Sequence, residues 1–330
     1  MLILAKSVLA MMIGFVSSAI FGFIMIPILK KFNIKQKINI FLEEKHKEKQ
    51  GVPTMGGLIF IIPTLLATLF LLLLGKIHYS SNLLIVLVVF VSYALLGFLD
   101  DFLSIKRRTN QGLTVLQKLI GQFLIACIFF IIFIKNGGQT VLNIYTLGIQ
   151  IDMGFIYGAF ILFVLIASSN AVNITDGLDG LAGGLSVMSF LAFALISFGS
   201  TWVVGYSDIA IFCFILVGSL MGFLLFNTYP AKVIMGDTGS LTLGGTLAAV
   251  AIITNHELTL VIVAGVFVIE TLVCIIQIIS GRYFGKRVFL MAPLHHHFEK
   301  LGWEERDIVK LFWTVGLILS MAAIGFGVWI

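Results

Sequence analysis

Five aspartates at three places in the chain have the types and spacing for metal and phosphate chemistry. Asp100 and Asp101 are adjacent in "LLGFLDDFLSIKRR", Asp176 and Asp179 stand three apart in "NITDGLDG", and Asp237 lies in "VIMGDTGSL". Neighbouring carboxylates repel unless a cation holds them. Mg2+ suits the task, since it takes oxygen ligands from one or two carboxylates together with phosphate and water. The competing reading of the pair is a helix cap, or an ion pair with Lys106, Arg107 and Arg108. The other two places are rich in glycine: "DGLDGLAGG" and "GDTGSLTLGG" each run straight into an apolar stretch. A helix that starts there offers free N–H groups and the positive end of its dipole, both suited to phosphate. Glycine also lets a ligand approach the backbone. Plain N-capping by Asp and Thr, with the glycines as helix contacts, is the alternative for either segment.

A third feature is "MAPLHHHFEKLGWEERD". Consecutive residues on a helix point in different directions, so His295, His296 and His297 are poorly placed for a three-histidine zinc site. As hydrogen-bond donors or proton carriers beside a phosphate they fit better; a merely solvated polar loop is the alternative. Glu270 is the one acid near the middle of an apolar run and reads as a buried structural group held by a hydrogen bond. Asp152, Asp208 and Glu257 read as surface or capping residues at the opposite face. Cys127, Cys213 and Cys274 all fall within apolar runs, without disulfide or metal spacing, and read as inert packing residues.

The elements that position these groups follow from composition. The chain is 59% hydrophobic and 11% charged, against about a quarter charged for a soluble domain. Its solvent is therefore mostly lipid, and the expected fold class is an all-α polytopic membrane protein. Ten apolar runs are long enough to span, at roughly 4–29, 53–74, 83–100, 114–134, 155–173, 182–200, 208–227, 240–254, 258–281 and 308–329. The first is too long for the core of a cleavable signal and reads as a span. Basic residues gather in cytoplasmic loops. Here 18 of 21 lysines and arginines fall on one side, which puts both termini outside and all five aspartates at the inner face. The outer stretch "NGGQTVLNIYTLGIQIDMG" alternates apolar and polar residues around a turn, so a small β-hairpin is expected near 139–152. No linker or composition shift divides the chain, and residues 1–330 read as one domain. A transporter would need ionisable groups along a path between faces, and only Glu270 is placed for one.

Taken together, "PTMGG" (53–57), "DD" (100–101), "NAVNITDGLDGLAGG" (170–184), "FNTYPAKVIMGDTGSL" (226–241) and "PLHHHFE" (293–299) resemble the bacterial phospho-N-acetylmuramoyl-pentapeptide transferase family, in order and along essentially the whole chain. This family lies within the polyprenyl-phosphate N-acetylhexosamine-1-phosphate transferases. The aspartate segments are shared across that wider group, and "PLHHHFE" points to the muramoyl-pentapeptide branch. One departure is Val52, where the family usually has Thr. The resemblance implies attack of undecaprenyl phosphate on the β-phosphate of UDP-N-acetylmuramoyl-pentapeptide, giving lipid I and UMP, with Mg2+ as cofactor. It implies a homodimer in the bacterial cytoplasmic membrane, an active site on the cytoplasmic side and no nucleic-acid partner. By resemblance Asp237 is the principal Mg2+ ligand with Asp100 and Asp101 beside it, one of that pair handling a proton of the lipid phosphate. Lys49, Thr54, Asn173, Asp176, Gly177, Leu178, Asp179 and Asn227 line the donor pocket, Lys118 helps with phosphate charge, and His295, His296 and His297 lie at the sugar-diphosphate end. The lipid tail is expected in an apolar groove beside a bent ninth span.

Overall fold

The computed structural model describes residues 2–31, 51–107, 112–199 and 206–328. Among them are twelve helices: α1 (Leu2–Lys31), α2 (Leu58–Leu73), α3 (Ser81–Arg107), α4 (Val115–Lys135), α5 (Ile156–Thr175), α6 (Leu181–Gly199), α7 (Tyr206–Asn227), α8 (Gly236–Ile253), α9 (Glu257–Val263), α10 (Gly265–Phe284), α11 (Leu294–Lys300) and α12 (Glu305–Val328). Among the described residues nine of these are long and apolar enough to cross a membrane, and α2, at 16 residues, is a shorter apolar helix. The protein is an all-α polytopic membrane protein. The ninth expected span is not one helix, because it breaks at Ala264 between α9 and α10. Gly265 follows directly and weakens the helix locally. A Cβ there would lie 2.8 Å from Leu319 Cδ1, so the glycine also lets α12 come close.

At the centre is α8, in which every residue from Thr238 to Ile253 is buried. A helix buried all round needs small residues wherever neighbours press in. Gly97 of α3 lies against the carbonyl of Asp237, Gly244 against Ser168 and Ser169 of α5, and Gly245 against the ring of Tyr93. Ser168 Oγ donates to the Gly244 carbonyl at 2.8 Å. The outer helices instead turn apolar side chains outward, as α4 does with Leu116, Ile120, Phe123, Leu124, Ile128 and Ile131. In lipid such faces cost nothing.

α1 lies along α7 through a seam of small residues. Gly14 and Gly22 on α1 stand two turns apart, with Ser18 between them. Opposite are Gly218 and Gly222 of α7, four residues apart. A Cβ on Gly218 would strike the Met11 carbonyl, and one on Gly222 would lie 2.7 Å from the Phe15 carbonyl. Lipid tails give helices no hydrophobic reason to associate, so close backbone packing does so instead. A backbone oxygen cannot step aside. Gly218→Val is therefore expected to destabilise the protein by about 1–3 kcal/mol, read as a lower thermal midpoint in detergent. Gly325→Ala, whose Cβ would enter open space, is the control expected to leave it unchanged.

The expected hairpin is present. β1 (Val141–Ile144) pairs antiparallel with β2 (Ile149–Asp152), in register Val141↔Asp152 and Ile144↔Ile149. Gly148, at φ +63°, closes the turn in the left-handed region that glycine tolerates. Asp152 accepts from Thr140 Oγ1 and from the Gly154 N–H, both at 3.0 Å, a capping role as expected. Asp208 and Glu257 differ from the surface reading, being only 4% and 2% exposed. Asp208 accepts the His78 N–H at 3.1 Å, and Glu257 bonds the Tyr157 hydroxyl. The hairpin is the physical reason at Glu257, since its turn lays Tyr145 over His256 with ring centroids 4.6 Å apart and closes that end of the bundle. Cys127, Cys213 and Cys274 are free thiols.

Candidate active site

Successive residues on a helix point about 100° apart, so Asp100 and Asp101 at the end of α3 serve different neighbours. Asp101 turns to α8, where Oδ1 accepts the Asp237 N–H at 3.2 Å. Its Oδ2 accepts the Thr238 N–H at 2.9 Å and the Thr238 hydroxyl at 2.6 Å. It thus caps the first turn of α8 from another helix. Gly97, one turn earlier, makes room for that approach. Asp100 turns to the segment before α4 and accepts the Leu113 N–H at 3.0 Å, while Gly112 packs against its backbone. A capping box opens α4: Thr114 Oγ1 accepts from Gln117 N at 3.2 Å, and Thr114 N donates to Gln117 Oε1 at 3.0 Å.

That start fixes Lys118, whose Nζ bonds Asp237 Oδ2 and lies 3.5 Å from Asp100 Oδ1. The other oxygen of Asp237 accepts Asn173 Nδ2 at 2.8 Å, and the same amide donates to Ser240 Oγ at 2.8 Å. One carboxylate oxygen from each of Asp100, Asp101 and Asp237 lies within 4.8 Å of the others. The donor set is oxygen only, it is concentrated where one helix ends and another begins, and Asp237 is its most exposed carboxylate at 23%. Such a set fits a hard divalent cation and lacks the thiolate or imidazole ligands that favour zinc.

Two glycine-bearing segments frame this cluster. "PTMGG" docks by its backbone on the strand-like approach to α8: Ile234 N donates to Pro53 O (2.8 Å), Gly56 N to Ile234 O (2.8 Å) and Gly57 N to Met235 O (2.9 Å). Met55 within it holds φ +66°, a left-handed conformation uncommon for a non-glycine residue. This docking buries Thr54 beside Gly236. "DGLDG" follows α5, with Leu178 buried and Asp179 held on both sides. Asp179 N donates to Glu305 Oε1 of α12 at 2.6 Å, and Asp179 Oδ2 accepts the Ala231 N–H at 2.9 Å. Asn227 Nδ2 donates to Val233 O at 3.0 Å, tying the end of α7 to the same approach. Lys49 lies outside the described residues.

A family model described as glycosyl transferase family 4 matches residues 83–255, the stretch that holds every aspartate of the site. Over 323 residues, 98% of each chain, the sequence is 46% identical to the phospho-N-acetylmuramoyl-pentapeptide-transferase of Geobacillus kaustophilus. It is 45% identical to the protein of that name in Halalkalibacterium halodurans over 98% of each chain, and to that in Bacillus licheniformis over 96% of each. The chain belongs to the phospho-N-acetylmuramoyl-pentapeptide-transferase family. It is a glycosyl-1-phosphate transferase.

The histidine segment of this transferase lies beyond the matched family model. Its three imidazoles have three separate anchors. His295 Nδ1 meets Glu270 Oε1 at 3.0 Å, with both residues fully buried. His296 Nδ1 meets Glu299 Oε2 at 2.5 Å, and His297 Nδ1 accepts the Leu290 N–H at 3.1 Å. Neither of the last two bonds reaches the aspartates. His295 does reach the site's frame, because its ring stands against Gly177. Sequence reasoning did not single out Thr238, Ser240 or Glu305 as partners of the site. The first two lie within "GDTGSL", one and three residues beyond Asp237, so proximity was the available signal. Glu305 touches a turn 126 residues away and gave none.

Proposed function

We propose that this transferase moves phospho-N-acetylmuramoyl-pentapeptide from UDP-N-acetylmuramoyl-pentapeptide to undecaprenyl phosphate, giving lipid I and UMP, at the cytoplasmic side of the bacterial cytoplasmic membrane. The reading is carried by the meeting of Asp100, Asp101 and Asp237 with Lys118 at one end of an apolar bundle, in a chain of this family. A lipid oxygen and a soluble diphosphate can meet only at such a boundary. In the transfer an oxygen of the lipid phosphate bonds the β-phosphorus of the donor. The bond from that phosphorus to the bridging oxygen breaks, and UMP leaves with the electron pair. Asp100 takes the proton of the attacking phosphate where one is present. Lys118 supplies fixed positive charge beside the reacting groups. Thr54, Asn173, Asp176, Gly177, Leu178, Asp179 and Asn227, with Lys49, line the donor side.

Asp237, Asp100 and Asp101 would hold Mg2+, which when bound neutralises charge on the diphosphate and orients it. Both oxygens of Asp237 already face donors, Asn173 and Lys118. A carboxylate held by donors, and by the metal when bound, is a poor nucleophile, which favours direct attack by the lipid over a covalent aspartyl intermediate. Part of the acceptor's tail would lie in an apolar cavity of about 320 Å3 lined by Phe160, Phe163 and Val164 of α5, Val261 of α9, and Phe267 and Leu272 of α10. The break at Ala264 opens this groove along the ninth span.

The test is UMP release by the detergent-purified protein with undecaprenyl phosphate and Mg2+, offering UDP-N-acetylmuramoyl-pentapeptide or UDP-N-acetylglucosamine. Release is expected from the muramoyl donor alone, abolished by EDTA and restored by excess Mg2+. Release from the glucosamine donor would place the protein in the sister branch. Turnover that survives EDTA would remove the metal from the scheme.

A further inference from the structure

Glu270 lies in α10 and is the most deeply buried acid among the described residues, at 0% exposure. Three donors converge on its two oxygens. Oε2 accepts the Leu294 N–H at 2.6 Å, while Oε1 accepts the His295 N–H at 3.2 Å and the His295 Nδ1 at 3.0 Å. A carboxylate only accepts, so the imidazole proton sits on Nδ1 and the ring is fixed in one orientation. Its far edge, Nε2, is buried and has no hydrogen-bond partner among the described residues. That edge abuts the turn after α5: a Cβ on Gly177 would meet Nε2 first, with Cε1 and Cδ2 at 3.0 and 3.2 Å. On its other side the turn is held by Glu305 through the Asp179 N–H.

We infer that Glu270 and His295 form a buried brace that sets the position of the "DGLDG" turn, so that Glu270 is a positioning residue for turnover, acting through His295. The inference rests on the reading above only in taking that turn to face the donor. It gives the bound ring a reason to be fully buried, which a group handing protons to a substrate would not have. It also explains why residue 177 is glycine at an ordinary φ: the missing side chain is the space the ring occupies. The rival view is that Glu270 merely caps the start of α11 while His295 touches substrate directly.

The two views separate in a variant set. Hydrogen exchange in the ligand-free protein reads the turn with no donor present. In Glu270→Gln, the amides of 176–180 are expected to exchange about tenfold faster while those of α5 do not change. Turnover supplies the second readout, with UDP-N-acetylmuramoyl-pentapeptide as donor. Glu270→Gln is expected to raise the donor KM about tenfold and leave the KM for undecaprenyl phosphate as it was. Gly177→Ala forces the ring aside and is expected to be strongly impaired. In the His295→Ala background the same change should add little further loss, because the space is then free. Unchanged exchange over 176–180 in Glu270→Gln, or losses in Gly177→Ala and His295→Ala that multiply in the double variant, would overturn the brace. A wild-type protein that turns over neither donor would defeat the functional reading instead, and the exchange measurement would still decide the brace.

Discussion

Asp237→Ala is expected to lower UMP release roughly a thousandfold, with no recovery at high Mg2+. The size follows from what one side chain does here. It is the most exposed of the three clustered carboxylates, the partner of Lys118 and the partner of Asn173. Its loss removes a ligand of the proposed metal site and frees two groups that it orients. The fold should survive, because Lys118 keeps Asp100 within 3.5 Å and Asn173 keeps Ser240. A thermal midpoint in detergent close to wild type would accompany the inactivity. Activity within tenfold of wild type would show that Asp237 is not at the centre of the reaction.

The second large effect is at Asp101, and it separates two jobs. As a cap it receives two N–H groups and a hydroxyl at the buried start of α8. Asp101→Ala leaves all three without that acceptor, at a cost of about 2–4 kcal/mol. It also loosens the very turn that carries Asp237, so turnover should vanish with it. Asp101→Asn keeps one acceptor oxygen and should recover much of the lost stability. If capping is its main service, the Asn variant also recovers measurable turnover. Equal stability in the Ala variant and wild type would refute the capping role, leaving Asp101 to the metal alone.

Much of the site was legible because of how spans are built. Asp100, Lys118, Asn173 and Asp237 each lie within a turn or two of an end of an apolar run. Runs of that length cross a bilayer once, so their alternate ends share one depth, and the residues there are neighbours before any packing is known. The hairpin was legible for a related reason, since alternation over two short runs has one common solution. What spacing does not encode is a carboxylate that serves a backbone N–H far away in sequence. Asp101 capping α8, Glu270 capping α11 and Glu305 holding Asp179 are three such cases. Asp101 reads locally as a metal ligand and Glu270 as a buried group held by a hydrogen bond, but the sequence names the partner of neither. Asp208 and Glu257, read as surface or capping residues, are buried, and spacing does not show what covers them. The break at Ala264 answers the bend expected of the ninth span, and Gly265 marks its place in the run.

The seam between α1 and α7 bears on how the protein is made. About 200 residues separate Gly14 from Gly218. At a synthesis rate of about 5–20 residues per second, α1 therefore waits roughly 10–40 s in the membrane before its main partner leaves the ribosome. During that interval its glycine and serine stripe is open to any other small-residue helix nearby. α2, which bonds Ser18 Oγ through the Ile59 carbonyl at 3.0 Å, emerges much sooner. It can hold the first helix in register until α7 arrives, so the order of emergence itself protects the joint from a wrong match.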